Sequence, residues 1–265
     1  MNASDEQLSI PIGDLWKHVA DALNNGLLGQ HGKLDDGVTP RYQFEFVDSQ
    51  EVNGMAIEFG GVGFLGITVP LRTKLWEICF DLSRSAPIAK RFNASTIEQC
   101  QALQVELFTT VLGFVVCHEY GHHVLSHHVH SSKSETFYSD VINGLGGSID
   151  VQGKEIHADG YAVYLVIAGL IAGDRREQIT KSLGEEVTTD ELLLCLFIAS
   201  VAAFFFIGEP KQFDSQTVES LTHPPAAIRL NYVMYHMKRW CSESRENLLR
   251  TLTLALFQEL IRDVK

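Results

Sequence analysis

The residues that most clearly point to chemistry lie in the stretch FVVCHEYGHHVLSHH, residues 114–128, where two histidines stand four positions apart. Positions i and i+4 of a helix share one face, so His118 and His122 can direct ring nitrogens at one metal ion. Glu119 follows the first histidine and can act as the base that activates water. Zn²⁺ is the expected ion, because it accepts neutral imidazole and, with three protein ligands, keeps a fourth position for water.

A third ligand is expected about thirty residues further on, in KEIHADGYAVYLVIAGL, where Glu155 and Asp159 again share a helix face. Glu155 is the predicted ligand. Asp159 is expected to bind the outer nitrogen of a ligand histidine and fix its tautomer. His157 is the rival ligand, but it faces away from Glu155 by about 200° at about 100° per residue. Because the helix continues into an apolar run, it must enter the core, which argues against two merely solvated carboxylates.

The segment THPPAAIRL contributes two further candidates, His223 and Arg229. Pro224 or Pro225 fits the first turn of a helix, which places His223 at or just before the helix N-terminus and Arg229 on the helix itself. A histidine held in that way can donate a hydrogen bond to the oxyanion that forms when a carbonyl is attacked. Taken alone, a His-Pro pair more often marks the start of a helix than a catalytic element.

One long helix must position the HEYGH motif. The sequence STIE, residues 95–98, has the form of a capping box between Ser95 and Glu98, and predicts a helix from there to near His128. Residues 107–117 are apolar on almost every face, which predicts a central, buried helix. The polar, glycine-bearing segment that follows, residues 129–150, predicts a loop or lid.

The remaining elements form an α+β pattern in one domain, residues 1–265. An amphipathic helix in GDLWKHVADALNNGLLG precedes a small sheet formed by Tyr42–Val47 and GMAIEFGGVGFLGITVP. Its strands offer an edge on which a substrate peptide can pair. Residues 1–92 comprise this helix and sheet, residues 93–240 a zinc-binding helical core, and residues 241–265 a C-terminal helix. Helices after the HEYGH helix are predicted at about 151–172, 189–207, 224–240 and 243–262.

The run Leu192–Gly208, LLLCLFIASVAAFFFIG, admits two interpretations. It falls just short of the ~20 apolar residues that span a bilayer, so it is either a membrane anchor or a helix buried in the core. Its short length and the absence of basic flanking residues favour the buried helix.

Composition limits the partners. Asp and Glu number 33 against 21 Lys and Arg, and the resulting net charge of −12, without a basic patch, argues against nucleic acid as a partner. The five cysteines are scattered, odd in number and set mostly in apolar runs, which predicts reduced core residues and a reducing compartment. The N-terminus lacks the basic start and apolar run of a secretory signal. A cytoplasmic protein is therefore expected, with membrane association as the alternative.

HEYGH, EIHAD and THPPAAIR, in that order over roughly residues 95–240, resemble the motifs of the gluzincin metallopeptidases. HExxH followed by ExxxD is similar to thermolysin, whereas the His-Pro…Arg element looks more like the group of CAAX prenyl proteases and HtpX-type membrane proteases. Phage-exclusion peptidases resembling Lit also carry HExxH. The resemblance implies a mainly helical zincin-type domain with a small N-terminal sheet.

The same resemblance implies a role for each residue of the three motifs. His118, His122 and Glu155 would bind zinc, with Glu119 as general base and acid. Asp159 would orient a ligand histidine, His223 would stabilise the oxyanion, and Arg229 would support the site from behind.

The leading functional prediction is thus a zinc endopeptidase that hydrolyses peptide or protein substrates through metal-activated water. One alternative is a non-catalytic, zinc-stabilised interaction or regulatory protein, although such a site has no need of Glu119. Another is a one-span membrane protease. His123, His127 and His130, at i, i+4 and i+7, offer a second metal site, but an exposed histidine-rich helix end is the simpler interpretation.

Overall fold

A computed structural model of the chain describes residues 12–125, 149–205, 207 and 223–241. Helix α1 spans Ile12–Leu23 and continues through a π-helical turn, Asn24–Leu28, and a 3₁₀ turn, Gly29–His31. The helix predicted at 243–262 lies outside the described residues. So does nearly all of the lid predicted at 129–150, of which only the last two residues are described, as the start of a helix.

The predicted small sheet is present as three strands, β1 (Tyr42–Val47), β2 (Gly54–Phe59) and β3 (Val62–Thr68). The order is β1-β3-β2, with β1 parallel and β2 antiparallel to the central β3. The β2–β3 hairpin turns through Gly60 and Gly61, whose φ angles of 60° and 81° favour glycine. This two-residue turn fixes the β2–β3 register, in which Gly54 faces Ile67.

Two helices after the sheet were not predicted from the sequence, α2 (Val69–Arg84) and α3 (Ala86–Arg91). The β-rich segment was expected to continue through Pro70, but the strand ends at Thr68. The Thr68 hydroxyl accepts a hydrogen bond from the Leu71 N–H and caps α2, and proline stands in the first turn. α2 packs against the helix that carries the HEYGH motif.

That helix, α4, spans Ile97–Val124. Its capping box is formed by Thr96 and Gln99, one residue later than the predicted Ser95 and Glu98. The Gln99 N–H donates to the Thr96 hydroxyl, and the Gln99 side chain accepts from the Thr96 N–H. From residue 103 onward α4 is buried at most positions, as the apolar composition predicted.

The second half of the described chain is helical. α5 spans Ile149–Ala172, α6 Arg175–Leu183, α7 Asp190–Phe205 and α8 Ala226–Cys241. α5 packs against both α4 and α8. Three of these helices match predicted ones within about two residues at each end, whereas α6 was missed. The described chain is therefore mainly helical with a small mixed sheet, which confirms the α+β class.

The apolar run Leu192–Gly208 supplies a core helix, because every residue of α7 from Leu193 to Phe205 is buried in the structure. Two other helices, α4 and the Asp150–Ala172 part of α5, are long and apolar enough to cross a membrane. Core helices of soluble proteins commonly meet the same criterion, so this is weak evidence for a membrane span.

Candidate metal centre

α4 brings three motif residues to the interior. The side chains of His118, Glu119 and His122 are each about 1% exposed, although histidine and glutamate are rarely buried without a partner. His118 and His122 lie one helical turn apart, with 3.2 Å between their Nε2 atoms. The predicted convergence of the two rings on one face of α4 is therefore present.

α5 presents two carboxylates to these rings. Glu155 and Asp159 are fully buried, whereas His157, the rival ligand, is exposed. Gly121 of α4 lies against the backbone of Ala158, where an added Cβ would be 3.3 Å from the Ala158 Cα atom. This glycine lets the two helices approach closely between their site residues.

The donors of His118, His122 and Glu155 form one cluster, with a ligand atom of each within 4.8 Å of the others. His118 Nε2 lies 3.2 Å from Glu155 Oε2, and His122 Nε2 lies 3.3 Å from Glu155 Oε1. Two imidazole nitrogens and a carboxylate thus converge on one point from two helices. Such a set can hold a metal ion.

The unsatisfied state of Glu155 supports a cation in this cluster. Both carboxylate oxygens are buried, yet among the described residues neither makes a contact with the geometry of a hydrogen bond. A buried carboxylate costs several kcal/mol unless positive charge beside it compensates, either on the neighbouring histidines or on a metal ion. A metal ion between Glu155 and the two histidines satisfies all three groups at once.

Asp159 fixes the His118 ring from the opposite side. His118 Nδ1 lies 2.9 Å from Asp159 Oδ1, within hydrogen-bonding distance. With its proton on Nδ1, a neutral His118 carries a lone pair on Nε2, directed at the Glu155 oxygen and at His122. These acceptors approach one another only with a proton or a metal ion between them.

Arg229 completes this arrangement from α8. Its Nε donates to Asp159 Oδ2 at 2.8 Å and its Nη2 to Asp159 Oδ1 at 2.6 Å. The guanidinium also lies over the Phe205 ring of α7, 4.3 Å from its centre. Arg229 therefore supports the His118 side of the cluster through Asp159.

The electrostatics of the cluster favour positive charge. Burial lowers the pKa of His118, but its contacts with Asp159 and Glu155 outweigh this and raise the pKa well above its usual value. Burial raises the pKa of Glu155, but the charges of His223 and His122 lower it well below the usual range. Burial likewise raises the pKa of Asp159, and Arg229 brings it below its usual value. Both carboxylates are therefore ionised.

His223, which directly precedes the two prolines before α8, also reaches the cluster. Its Nε2 atom lies 2.8 Å from Glu155 Oε2, and its side chain is mostly buried. The structure thus brings the predicted third element to the first two. The observed contact is with the Glu155 carboxylate.

Glu119 packs against the sheet from a flank of the α4 face that carries His118 and His122. A Cβ atom at Gly54 would lie 2.5 Å from Glu119 Oε1, so the carboxylate packs directly on the backbone at the start of β2. Gly54 was not among the residues predicted from the sequence to form the site. A glycine opening a strand was the only local signal, because the contact depends on how the sheet packs on α4.

The second metal site considered at His123, His127 and His130 is described only in part. His123 Nε2 lies 3.3 Å from the Phe64 carbonyl oxygen on β3, and its ring contacts Tyr42. His127 and His130 lie outside the described residues. His123 is thus part of the contact between α4 and the sheet.

The family model described as Peptidase U49 matches residues 79–244, which is more than half of the chain. The matched range contains α4, α5 and α8 together with every residue of the cluster. No curated protein and no solved structure matches significantly.

Proposed function

The chain belongs to the Peptidase U49 family, and we propose that it is a zinc-dependent endopeptidase of the gluzincin type. Membership of a peptidase family supports hydrolysis of peptide or protein substrates. The family is Lit-like, which favours that relationship over the CAAX prenyl protease and HtpX group. Zinc, the assigned roles and the gluzincin type are our proposals.

One observation carries the choice of zinc. A tetrahedral ion with bonds of about 2.05 Å separates its donors by about 3.3 Å. The two Nε2 atoms of His118 and His122 are 3.2 Å apart, which agrees with this value. Their contacts of 3.2 and 3.3 Å with Glu155 involve its two different oxygens, and with one atom per residue the three donors lie within 4.8 Å of one another. Two imidazoles and one carboxylate suit zinc, whereas calcium and magnesium prefer oxygen ligands throughout.

In the proposed mechanism a side chain of the protein, Glu119, carries the proton in each transfer. Zinc, when bound, supplies Lewis acidity that activates water and polarises the substrate carbonyl. Glu119 takes the proton of the attacking water and delivers it to the leaving amine. Its place on a flank of the helix face that carries His118 and His122 supports this role. A non-catalytic zinc site, the alternative, gives no reason to bury a carboxylate there.

His223 is proposed to donate to the oxyanion. It reaches the donor cluster through its 2.8 Å approach to Glu155, which supports a position beside the reacting carbonyl. Arg229 and Asp159 are positioning residues that hold the His118 ring. Neither contacts the reacting atoms in this proposal.

The β2 edge is proposed to bind the substrate backbone. The Thr68 N–H donates to the Asn53 carbonyl, so in the alternating antiparallel ladder Gly54 and Ala56 direct their backbone groups away from β3. These backbone groups lie next to the point where Gly54 contacts Glu119. A peptide paired there would run past the proposed base.

The cytoplasm remains the proposed location, supported by five free cysteines, four of them buried. Nucleic acid is not a proposed partner, given the net charge of −12. Membrane association is the alternative that the two long apolar helices leave open.

A metal analysis combined with proteolysis tests the proposal. Purified protein should contain about one zinc ion per chain and should cleave members of a synthetic peptide library. Treatment with 1,10-phenanthroline should abolish cleavage, and added zinc should restore it. Protein that binds no zinc after reconstitution would overturn the metal assignment, and zinc-loaded protein with no cleavage across the library would favour the non-catalytic alternative.

A further inference from the structure

A second candidate site lies in a cavity of about 600 Å³ between α1, α4, α5 and α6. Ligand pockets commonly measure about 300–1,000 Å³, so the space suits a small molecule. On α4 its wall ends at Gly113, about 7 Å along the helix before His118 at 1.5 Å per residue. Its lining contains no residue of the metal centre.

Two glycines on facing helices keep this cavity open. Gly113 of α4 and Gly169 of α5 both line it, and a Cβ atom added to either would meet no atom of another described element within 4 Å. A glycine inside a helix costs about 1 kcal/mol relative to alanine. Alanine would fit at both positions, so close helix packing does not explain the glycines.

The wall is mostly aliphatic and carries one unsatisfied hydroxyl. Apolar lining residues come from three of the helices and include Leu15, Val19, Leu112, Val166 and Leu170. Thr110 also lines the cavity, and its buried Oγ1 has no hydrogen-bond partner among the residues that the structure describes. A threonine in a helix usually bonds a carbonyl one turn earlier, as Thr109 does with Val105. The Thr110 hydroxyl lacks this usual bond, and Thr110 belongs to the cavity wall.

The Arg and Glu side chains of the wall are already paired with each other. Arg175 Nη2 donates to the buried carboxylate of Glu106 at 2.5 Å, and Arg175 Nη1 donates to Gln178 Oε1 at 2.8 Å. A charged ligand would have to break this pair or lie unpaired beside it, which is costly in a partly buried site. A neutral ligand avoids both costs.

We propose that this cavity is a binding site for a neutral, mainly aliphatic molecule with one hydroxyl or amide group. The aliphatic part would fill the space beside Gly113 and Gly169, and the polar group would bond the Thr110 hydroxyl. This site is independent of the proposed peptidase function, because none of its residues belongs to the metal centre.

Calorimetric titration of the full chain with 1-decanol tests the proposal. Wild-type protein should bind decanol, and should bind decanoate at least tenfold more weakly because of the Glu106 carboxylate. Gly169→Leu fills the cavity and should abolish binding. Ala168→Leu adds the same side chain at the exposed neighbouring position and should bind like wild type.

Thr110→Val preserves the side-chain shape but removes the hydroxyl. This variant still tests the proposal if Gly169→Leu fails to fold. Decanol affinity should fall about 2- to 10-fold, the effect of one hydrogen bond. The proposal fails if wild-type protein does not bind decanol, if folded Gly169→Leu binds it normally, or if Thr110→Val leaves its affinity unchanged.

Discussion

Arg229 holds Asp159 through two hydrogen bonds, of 2.8 Å from Nε to Oδ2 and 2.6 Å from Nη2 to Oδ1. The same Oδ1 atom lies 2.9 Å from His118 Nδ1. One buried carboxylate therefore joins α8 to a candidate metal ligand on α4. Through His118 this carboxylate should affect metal affinity, and through Arg229 it should affect stability.

Asp159→Asn should weaken zinc affinity by about ten- to a hundredfold, because an amide no longer favours the Nδ1-protonated, strongly basic form of His118. Competition with a chromogenic chelator measures this change. Unchanged affinity would mean that Asp159 does not tune His118.

Arg229→Met should destabilise the protein by about 3 kcal/mol, because it leaves the Asp159 carboxylate buried without its charge partner. Urea unfolding of the zinc-loaded protein measures the difference. Arg239→Met is the matched control, since Arg239 is an exposed residue of the same helix. Equal stabilities of the two variants would contradict a structural role for the Asp159–Arg229 pair.

Glu119→Gln should keep the fold and the zinc but lower peptide cleavage by at least about 10²-fold, because an amide is nearly isosteric and cannot act as the base. Zinc content and cleavage are measured on the same sample. An undiminished rate would remove Glu119 from the mechanism.

Gly54→Ala should displace the Glu119 carboxylate, since the new Cβ would otherwise lie 2.5 Å from Oε1. Because only the end of a flexible side chain must move, we expect nearly unchanged stability and a clear loss of turnover. Gly13→Ala is the control, because a Cβ there meets no other described element within 4 Å. Normal turnover in Gly54→Ala would show that the position of Glu119 is not set by β2.

His223→Ala should lower kcat by about two to three powers of ten, with little change in zinc content or KM, if the imidazole donates to the oxyanion. His157→Ala removes an exposed histidine of α5 and should leave kcat unchanged. If His223 only caps α8, its loss should instead cost about 1 kcal/mol of stability and leave turnover intact. Thermal unfolding and steady-state kinetics on one sample separate the two outcomes.

The sequence predicted the cluster well because helical periodicity is local. The spacings of His118 to His122 and of Glu155 to Asp159 place each pair on one face whatever the rest of the fold does. The order of the motifs then indicated a shared site, and the structure brings the three segments together.

Features that depend on packing or on competing local signals were missed. The capping box was placed one residue early, because Ser95 and Thr96 are equally good caps and Gln99 selects Thr96. α2 was hidden by Val69 and Pro70, which read as the end of a strand. The contact of Gly54 with Glu119 needs the sheet register and the docking of the sheet on α4, and no local pattern encodes either.

The Gly60–Gly61 turn also determines which residue of β2 meets Glu119. A slip of β2 by one residue would reverse every side chain on the strand and bring Met55 to the position of Gly54, where its side chain would collide with Glu119. Both turn glycines have positive φ, so β-branched residues there would strain the turn that prevents this slip. The two-residue length of the turn therefore determines whether the Glu119 carboxylate on α4 packs against the bare backbone of Gly54 or meets the bulky thioether of Met55.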